Sequence, residues 1–391
     1  MSSDARQAGI KPGLTPLRII VGLILVLGII VTVLRFTTGL AGVTNLDHSN
    51  PWGLWIGFDL LCGVALAAGG YVTSAAVYIF GLKKYRSAVR PAILTGFLGY
   101  ALVVIALGYD VGIPWRLPYP FFVQAGPTSF LFEVALCVAL YLTVLFLEFS
   151  PAALEWLGYS RLRNLIVKLT LILTIFGVIL STMHQSSLGG LYLIAPSKLH
   201  PLWYTAYLPV LFFVSSLVAG LSMVILESTL SAKYFNRVLD KSHQQEQELL
   251  PLGFAKAAAL ILLAYFFLQV ISLALDNDWG YLTSGYGLWY CLELSVFVLL
   301  PCFLYAVGYR EKNLRIIRFT SVLAVIGIVV NRFNVSLVAF NWHLPLSERY
   351  FPSWMEVVIS IFLVTLGILA FRFIVTRMPI LFEHPEYRDS H

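Results

Sequence analysis

The sequence predicts an all-α integral membrane protein of about ten transmembrane helices, and three observations carry that prediction. Hydrophobic residues fill 59% of its 391 positions and charged residues only 12%. With a mean hydropathy of +0.83, this balance suits lipid as a solvent better than water. The apolar residues fall in runs of about 20, the length at which a helix crosses a hydrocarbon core of about 30 Å, and too long for the strands of a transmembrane barrel. Basic residues, finally, gather in every second connection.

In chain order the runs cover 17–37, 53–80, 91–110, 128–148, 164–185, 206–230, 253–275, 286–308, 314–340 and 354–376. The first is too long for the apolar core of a signal peptide and lacks a convincing small-residue cleavage site, so it reads as a retained anchor. Residues 53–185 then make one four-helix bundle and 206–340 a second, with 17–37 and 354–376 as peripheral helices. The longest connection, Ser231 to Pro251, holds 21 residues, which leaves no soluble domain. The whole chain, 1–391, is a single polytopic unit.

Of the 26 Lys and Arg residues, twenty lie on the side of both termini, three (Arg116, Lys198 and Arg349) lie opposite, and Arg35, Lys256 and Arg332 fall within spans. Basic residues stay cytoplasmic during insertion. Both termini are therefore expected in the cytoplasm and the protein in the cytoplasmic (inner) membrane, crossing it many times. Topology accounts for the net charge of +6, and no nucleic acid is needed to explain it. The opposite loops are rich in Pro and aromatics, as in Pro114–Pro120 and His200–Trp203. They fit an interfacial aromatic belt and equally a flat dock for an extracytoplasmic partner.

A charge in hydrocarbon costs roughly 3 kcal/mol on insertion scales, so ionisable residues inside spans are functional candidates. Asp59, Asp110, Glu133, His184, Glu293 and Arg332 all fall near the outer ends of their runs. On the fourth span Ser129, Glu133, Cys137 and Tyr141 recur every four residues and form one polar stripe. Asp59, Gly63, Ala67 and Gly70 share a face of the second span, and Gly177, Ser181 and His184 one of the fifth. Small residues on such a face let a neighbour come close. These stripes are expected to bring Asp59, Asp110, Glu133 and His184 to similar depth.

Asp276 followed by Glu293 echoes Asp110 followed by Glu133, which suggests a weak internal repeat. Arg332, eight residues inside the outer end of the ninth span, needs a carboxylate, and Glu293 is the expected partner in a pair more structural than catalytic. Asp110 and Glu356, at span ends, fit helix caps as well as function. Glu148 and Glu227, at cytoplasmic ends, either snorkel beside basic residues or continue a proton path from Tyr141.

A buried b-type haem takes two axial histidines, but His184 alone lies in a span, with His48, His200, His243, His343, His384 and His391 in loops or the tail. Cys62, Cys137, Cys291 and Cys302 include no C-x-x-C pair. Neither intrinsic haem, nor an iron–sulfur cluster, nor a metal site is expected.

The stretches PWGLWIGFDLLCGVALAAGGY at 51–71, FEVALC at 132–137, TMHQSSLGGLYL at 182–193, HPLW at 200–203, RFNVSLVAFN at 332–341 and YFPSWMEVVIS at 350–360 resemble the HybB-like branch of the NrfD and polysulfide-reductase-C superfamily. The resemblance runs over nearly the whole chain, and its H-Q-S-S-x-G segment is the most specific part. It implies a menaquinone- or ubiquinone-reactive membrane subunit with no haem of its own. It also implies a periplasmic ferredoxin-like iron–sulfur partner that serves a nickel–iron hydrogenase, a multihaem cytochrome or a sulfur-metabolism complex.

A quinone needs donors at its carbonyl oxygens and two protons on reduction. Glu133 and His184 can supply both, with Asp59 orienting or recharging His184 and Asp110 and Gln185 completing the headgroup site. The alternatives are a proton-coupled transporter, which ten spans and a repeat also fit, and a membrane anchor without its own redox site. A carrier needs polar residues at the midplane, whereas here they thin out inward.

Overall fold

The computed structural model describes residues 16–235 and 241–382. Arg6, Lys11, Arg237, Arg388, His384 and His391 lie outside the described residues, as do the side chains of Lys241 and His243. Among the described residues ten helices are long and apolar enough to cross a membrane: span 1, Pro16–Thr38; span 2, Trp55–Ile79; span 3, Lys83–Asp110; span 4, Phe130–Leu157; span 5, Ser160–Ile194; span 6, Leu208–Tyr234; span 7, Leu250–Asp276; span 8, Gly285–Arg310; span 9, Leu314–Val338; and span 10, Trp354–Arg377. No strand occurs among the described residues.

Spans 2 to 5 close one four-helix bundle and spans 6 to 9 a second. Spans 5 and 6, 2 and 6, and 2 and 9 join the two, while spans 1 and 10 pair with each other and rest on span 3. Small residues set the closest approaches. A Cβ on Gly220 of span 6 would sit 2.8 Å from the Ala68 carbonyl carbon of span 2. On span 2, Gly63 and Gly70 lie against Val103 and the Ala92 carbonyl of span 3, the contact expected of that stripe.

Span 5 runs to Ile194 rather than ending at Gln185. Polar Gln185 and Ser187 and the pair Gly189–Gly190 look like a terminus, yet all are buried. A Cβ on Gly189 would meet the Leu208 carbonyl oxygen at 2.5 Å, and one on Gly190 the Phe130 ring at 2.8 Å. The two glycines are helix–helix contacts within the bundle, not a stop signal.

Four stretches are π-helical: Trp55–Leu60, Ala75–Ile79, Ser295–Leu299 and Asn334–Val338. The first contains Asp59, the third begins two residues after Glu293, and the fourth opens on Asn334. Such turns recur at functional sites because they re-aim side chains.

The connections on the face away from the termini form an ordered cap. Leu199 bridges Phe340, and Asn341 donates to Ser49 O at 2.9 Å and Asn50 Oδ1 at 2.8 Å. His200 is packed by Tyr286 and Trp342, with ring centroids at 4.6 and 4.8 Å. Burial pushes its imidazole down to about 4, so it stays neutral. Aromatics of these loops differ in exposure: Trp203 is turned inward, while Trp115 is 75% exposed. On the opposite face Glu155 is buried between Arg90 at 2.8 Å and Arg163 at 3.1 Å, which clasps spans 3, 4 and 5 together.

Candidate functional site

The centre of the first bundle holds a polar cluster in otherwise apolar packing. His184, Tyr100 and Tyr141 are fully buried. Their rings meet pairwise, with centroids at 4.7 Å for Tyr100–Tyr141, 5.3 Å for Tyr100–His184 and 5.8 Å for Tyr141–His184. His184 Nδ1 lies 2.8 Å from Leu180 O, a carbonyl that can only accept, so Nδ1 carries the hydrogen. Nε2 is left to accept from the Tyr100 hydroxyl. The imidazole is thereby fixed in one tautomer and joined to a phenolic hydroxyl.

Around this pair the Tyr141 and Ser181 hydroxyls and Gln185 Oε1 are buried with no hydrogen-bond partner. Gln185 Nε2 donates to Val64 O at 2.9 Å, and Tyr71 OH pairs with Ser216 Oγ at 3.2 Å. Buried polar atoms are rarely left unpaired, so the cluster has hydrogen-bonding capacity for a ligand or water.

Glu133 sits in the first turn of span 4 and is half-buried. It shares a face with buried Cys137 and Tyr141, as its spacing predicts. Equal depth with His184 is not found. His184 meets the Tyr141 ring, which lies just over two turns (roughly 12 Å) along span 4 from Glu133, because span 5 extends beyond the expected end. Glu133 and His184 therefore lie above and below one another on adjoining spans.

Asp59 is not beside His184. Its Oδ2 accepts from Ser360 Oγ of span 10 at 2.6 Å. A π turn carries an extra residue, which moves Asp59 off the line of Gly63 and Gly70 and toward the peripheral helix. Asp110 closes span 3 close by and has one buried oxygen without a partner. Arg35 of span 1 brackets it, donating to Tyr109 O at 2.7 Å and Val111 O at 2.9 Å. Glu356 caps span 10 through a capping box with Ser353 and accepts from Tyr350 OH at 2.5 Å, which is the capping role.

In the second bundle Glu293 is buried and accepts from Trp203 Nε1 at 2.8 Å, Asn331 Nδ2 at 2.7 Å and Asn334 Nδ2 at 2.6 Å. The direct Glu293–Arg332 pair expected from the sequence does not form. Arg332 donates instead to Asn331 Oδ1 and Ser215 Oγ, each at 2.8 Å, and covers the Phe212 ring. A neutral amide bridges the two charges, because Asn331 precedes Arg332 in the chain and occupies the gap.

Toward the termini face, Thr174 Oγ1 donates to Glu148 Oε1 at 3.0 Å. This side chain from span 5 fills a step where span 4 offers only Val144 and Leu145. Glu227 is buried, and both its carboxyl oxygens lack a partner.

Sequence reasoning missed Tyr100, Thr174, Ser360 and Trp203. Tyrosine, threonine and serine in apolar runs read as packing and Trp203 as interface, and only spatial pairing distinguishes them.

Residues 42–341 match the polysulphide reductase NrfD family. The chain is 64% identical over 381 residues to a protein of Nitratidesulfovibrio vulgaris, covering 97% of this chain and 98% of that one. It is 32% identical over 387 residues to the probable Ni/Fe-hydrogenase 2 b-type cytochrome subunit of Escherichia coli, covering 97% and 96%. It is 28% identical over 382 residues to the menaquinone reductase integral membrane subunit of N. vulgaris, covering 88% and 87%.

The residues present here do not fit a b-type haem. Both ring nitrogens of His184 are engaged, and the other histidines with described side chains, His48, His200 and His343, lie in connections. No group of three or more metal-ligating side chains occurs among the described residues. The match over 300 of the 391 residues, on a chain whose described residues form ten spans, gives the assignment: the chain belongs to the polysulphide reductase NrfD family.

Proposed function

We propose that this chain is the quinone-reactive membrane subunit of a respiratory redox complex in the cytoplasmic membrane. It exchanges electrons with a ferredoxin-like iron–sulfur subunit on the periplasmic side and couples this to proton uptake or release. That partner in turn serves a hydrogenase, a multihaem cytochrome or a sulfur-metabolism enzyme. The carrying observation is the buried Tyr100–His184 pair with unpaired hydroxyls around it, lying beneath half-buried Glu133. The quinone-linked names of relatives support the same reading.

Reducing a quinone to a quinol adds two electrons and two protons. Glu133 delivers one proton to the headgroup from the outer side, while the Tyr100 hydroxyl gives the other from below and regains it from a proton that His184 Nε2 takes up from the termini face and returns along their hydrogen bond. The Tyr141 hydroxyl donates to a headgroup carbonyl, and Gln185 Oε1 accepts from the hydroxyl of the quinol form. Asp59 and Asp110, with Ser360 and Arg35, form a proton reservoir at the outer rim. Thr174 and Glu148 extend the route toward the termini face, with Glu227 at the far end of span 6. The ordered cap of loops is the dock.

Purification from native membranes tests this reading. Iron–sulfur polypeptides are expected to copurify, and the complex should transfer electrons to or from added menaquinone or ubiquinone. A chain that isolates alone and moves protons in liposomes without a redox partner would instead identify a carrier.

A further inference from the structure

The second bundle contains a built polar site that the quinone chemistry above leaves unused. Glu293 Oε2 accepts two N–H groups, but Oε1 accepts only that of Asn331, which leaves a lone pair on Oε1. Glu293, Asn331, Ser215 and Tyr265 line a cavity of about 20 Å³, room for about one water. Gln269 Nε2 donates to the Tyr265 oxygen at 2.8 Å, and Tyr290 OH holds the Gln269 carbonyl at 3.1 Å. The Tyr265 oxygen is thus engaged from the Gln269 side, and the hydroxyl sits beside Asn331 at the wall of the cavity. π-helical turns follow Glu293 on span 8 and begin at Asn334 on span 9.

Charge decides what this site can do. The titratable groups facing Glu293 are Arg332 of span 9, Tyr265 of span 7 and Tyr290 of span 8. Span 6 contributes Ser215, and the cap contributes Trp203. A bidentate contact with Arg332 would clamp Glu293 as a permanent carboxylate. The Asn331 amide instead passes on only part of that charge, so the neutral acid remains accessible, with the cavity as acceptor for its new O–H. Arg332 is also the cation between the bundles, anchored on span 6 at Phe212 O and Ser215 Oγ. Negative charge arriving in the first bundle competes for Arg332 and weakens its hold on Glu293.

We infer that Glu293, bridged to Arg332 by Asn331, is a second proton-holding carboxylate, loaded from the adjoining cavity when electrons reach the first bundle. The step is Glu293 carboxylate plus one proton to the carboxylic acid, in addition to the two protons the quinol itself carries. It rests on the quinone reading above.

Redox-induced infrared difference spectra of the intact complex, recorded in H₂O and D₂O, test it. Quinone reduction is expected to produce a carboxylic-acid C=O band that shifts in D₂O. Glu293→Gln should abolish that band and leave other carboxyl bands in place, and Tyr265→Phe, which keeps the ring, should move its frequency. The Tyr265→Phe spectrum decides the matter alone if Glu293→Gln does not assemble. Quinone bands with an unaltered carboxyl region in these variants would overturn the inference at Glu293 only. Absence of quinone bands in the wild type would overturn the quinone reading, and this inference with it.

Discussion

Replacing His184 by Gln is expected to slow quinone-linked turnover at least about a hundredfold, within the range for a positioned acid–base group. The fully buried imidazole accepts from Tyr100 and is locked by Leu180 O, so no neighbouring side chain can assume its role. A glutamine can still hydrogen-bond Tyr100 but cannot take up and pass on a proton. The Tyr100 hydroxyl therefore stays at least partly satisfied, and the destabilisation should remain near the low end of the roughly 1–3 kcal/mol cost of an unpaired buried group. Steady-state assays of the assembled complex should show the loss mainly in kcat. A fall in KM-dependent binding alone would make His184 a packing residue. Tyr100→Phe should reproduce a smaller part of the same defect, because it removes the donor and spares the imidazole.

Glu133→Gln is expected to leave the complex assembled and to cut turnover at least about tenfold, the lower end for such a group. Glu133 is half-buried in the first turn of span 4, where an amide is sterically equivalent and the helix start loses little. The effect should therefore fall on proton delivery and not on folding. Quinone-dependent activity measured alongside the amount of copurified partner separates the two. Unchanged turnover in fully assembled material would move the headgroup toward the Glu293 bundle.

Much of the architecture was legible because each span is a separate apolar run and because basic residues mark alternate connections. The two bundles followed from the order of eight central spans with short links. Depth was less legible. Gln185, Ser187, Gly189 and Gly190 look like a helix end by composition, but all are buried, Gln185 bonded to span 2 and the glycines packed on spans 6 and 4, and this displaces His184 inward. Pairing was less legible still. Periodicity placed Asp59 on a face with Gly63, but the π turn at Trp55–Leu60 sends its carboxyl to Ser360. Arg332 was expected to pair directly with Glu293, and the Asn331 amide that stands between them could not be read from spacing. Tyr100 carries no signal in one sequence, since a tyrosine in an apolar run packs as well as it reacts.

The central claim, a quinone site in the bundle of spans 2 to 5, is tested most directly by photolabelling the purified complex with an azido-quinone and mapping the modified peptides. The account predicts label on span 4 near Glu133 and Cys137 and on span 5 near His184, competed away by excess native quinone and lost in parallel with activity. Competable label confined to spans 7 to 9, or no competable label on this chain at all, would contradict it.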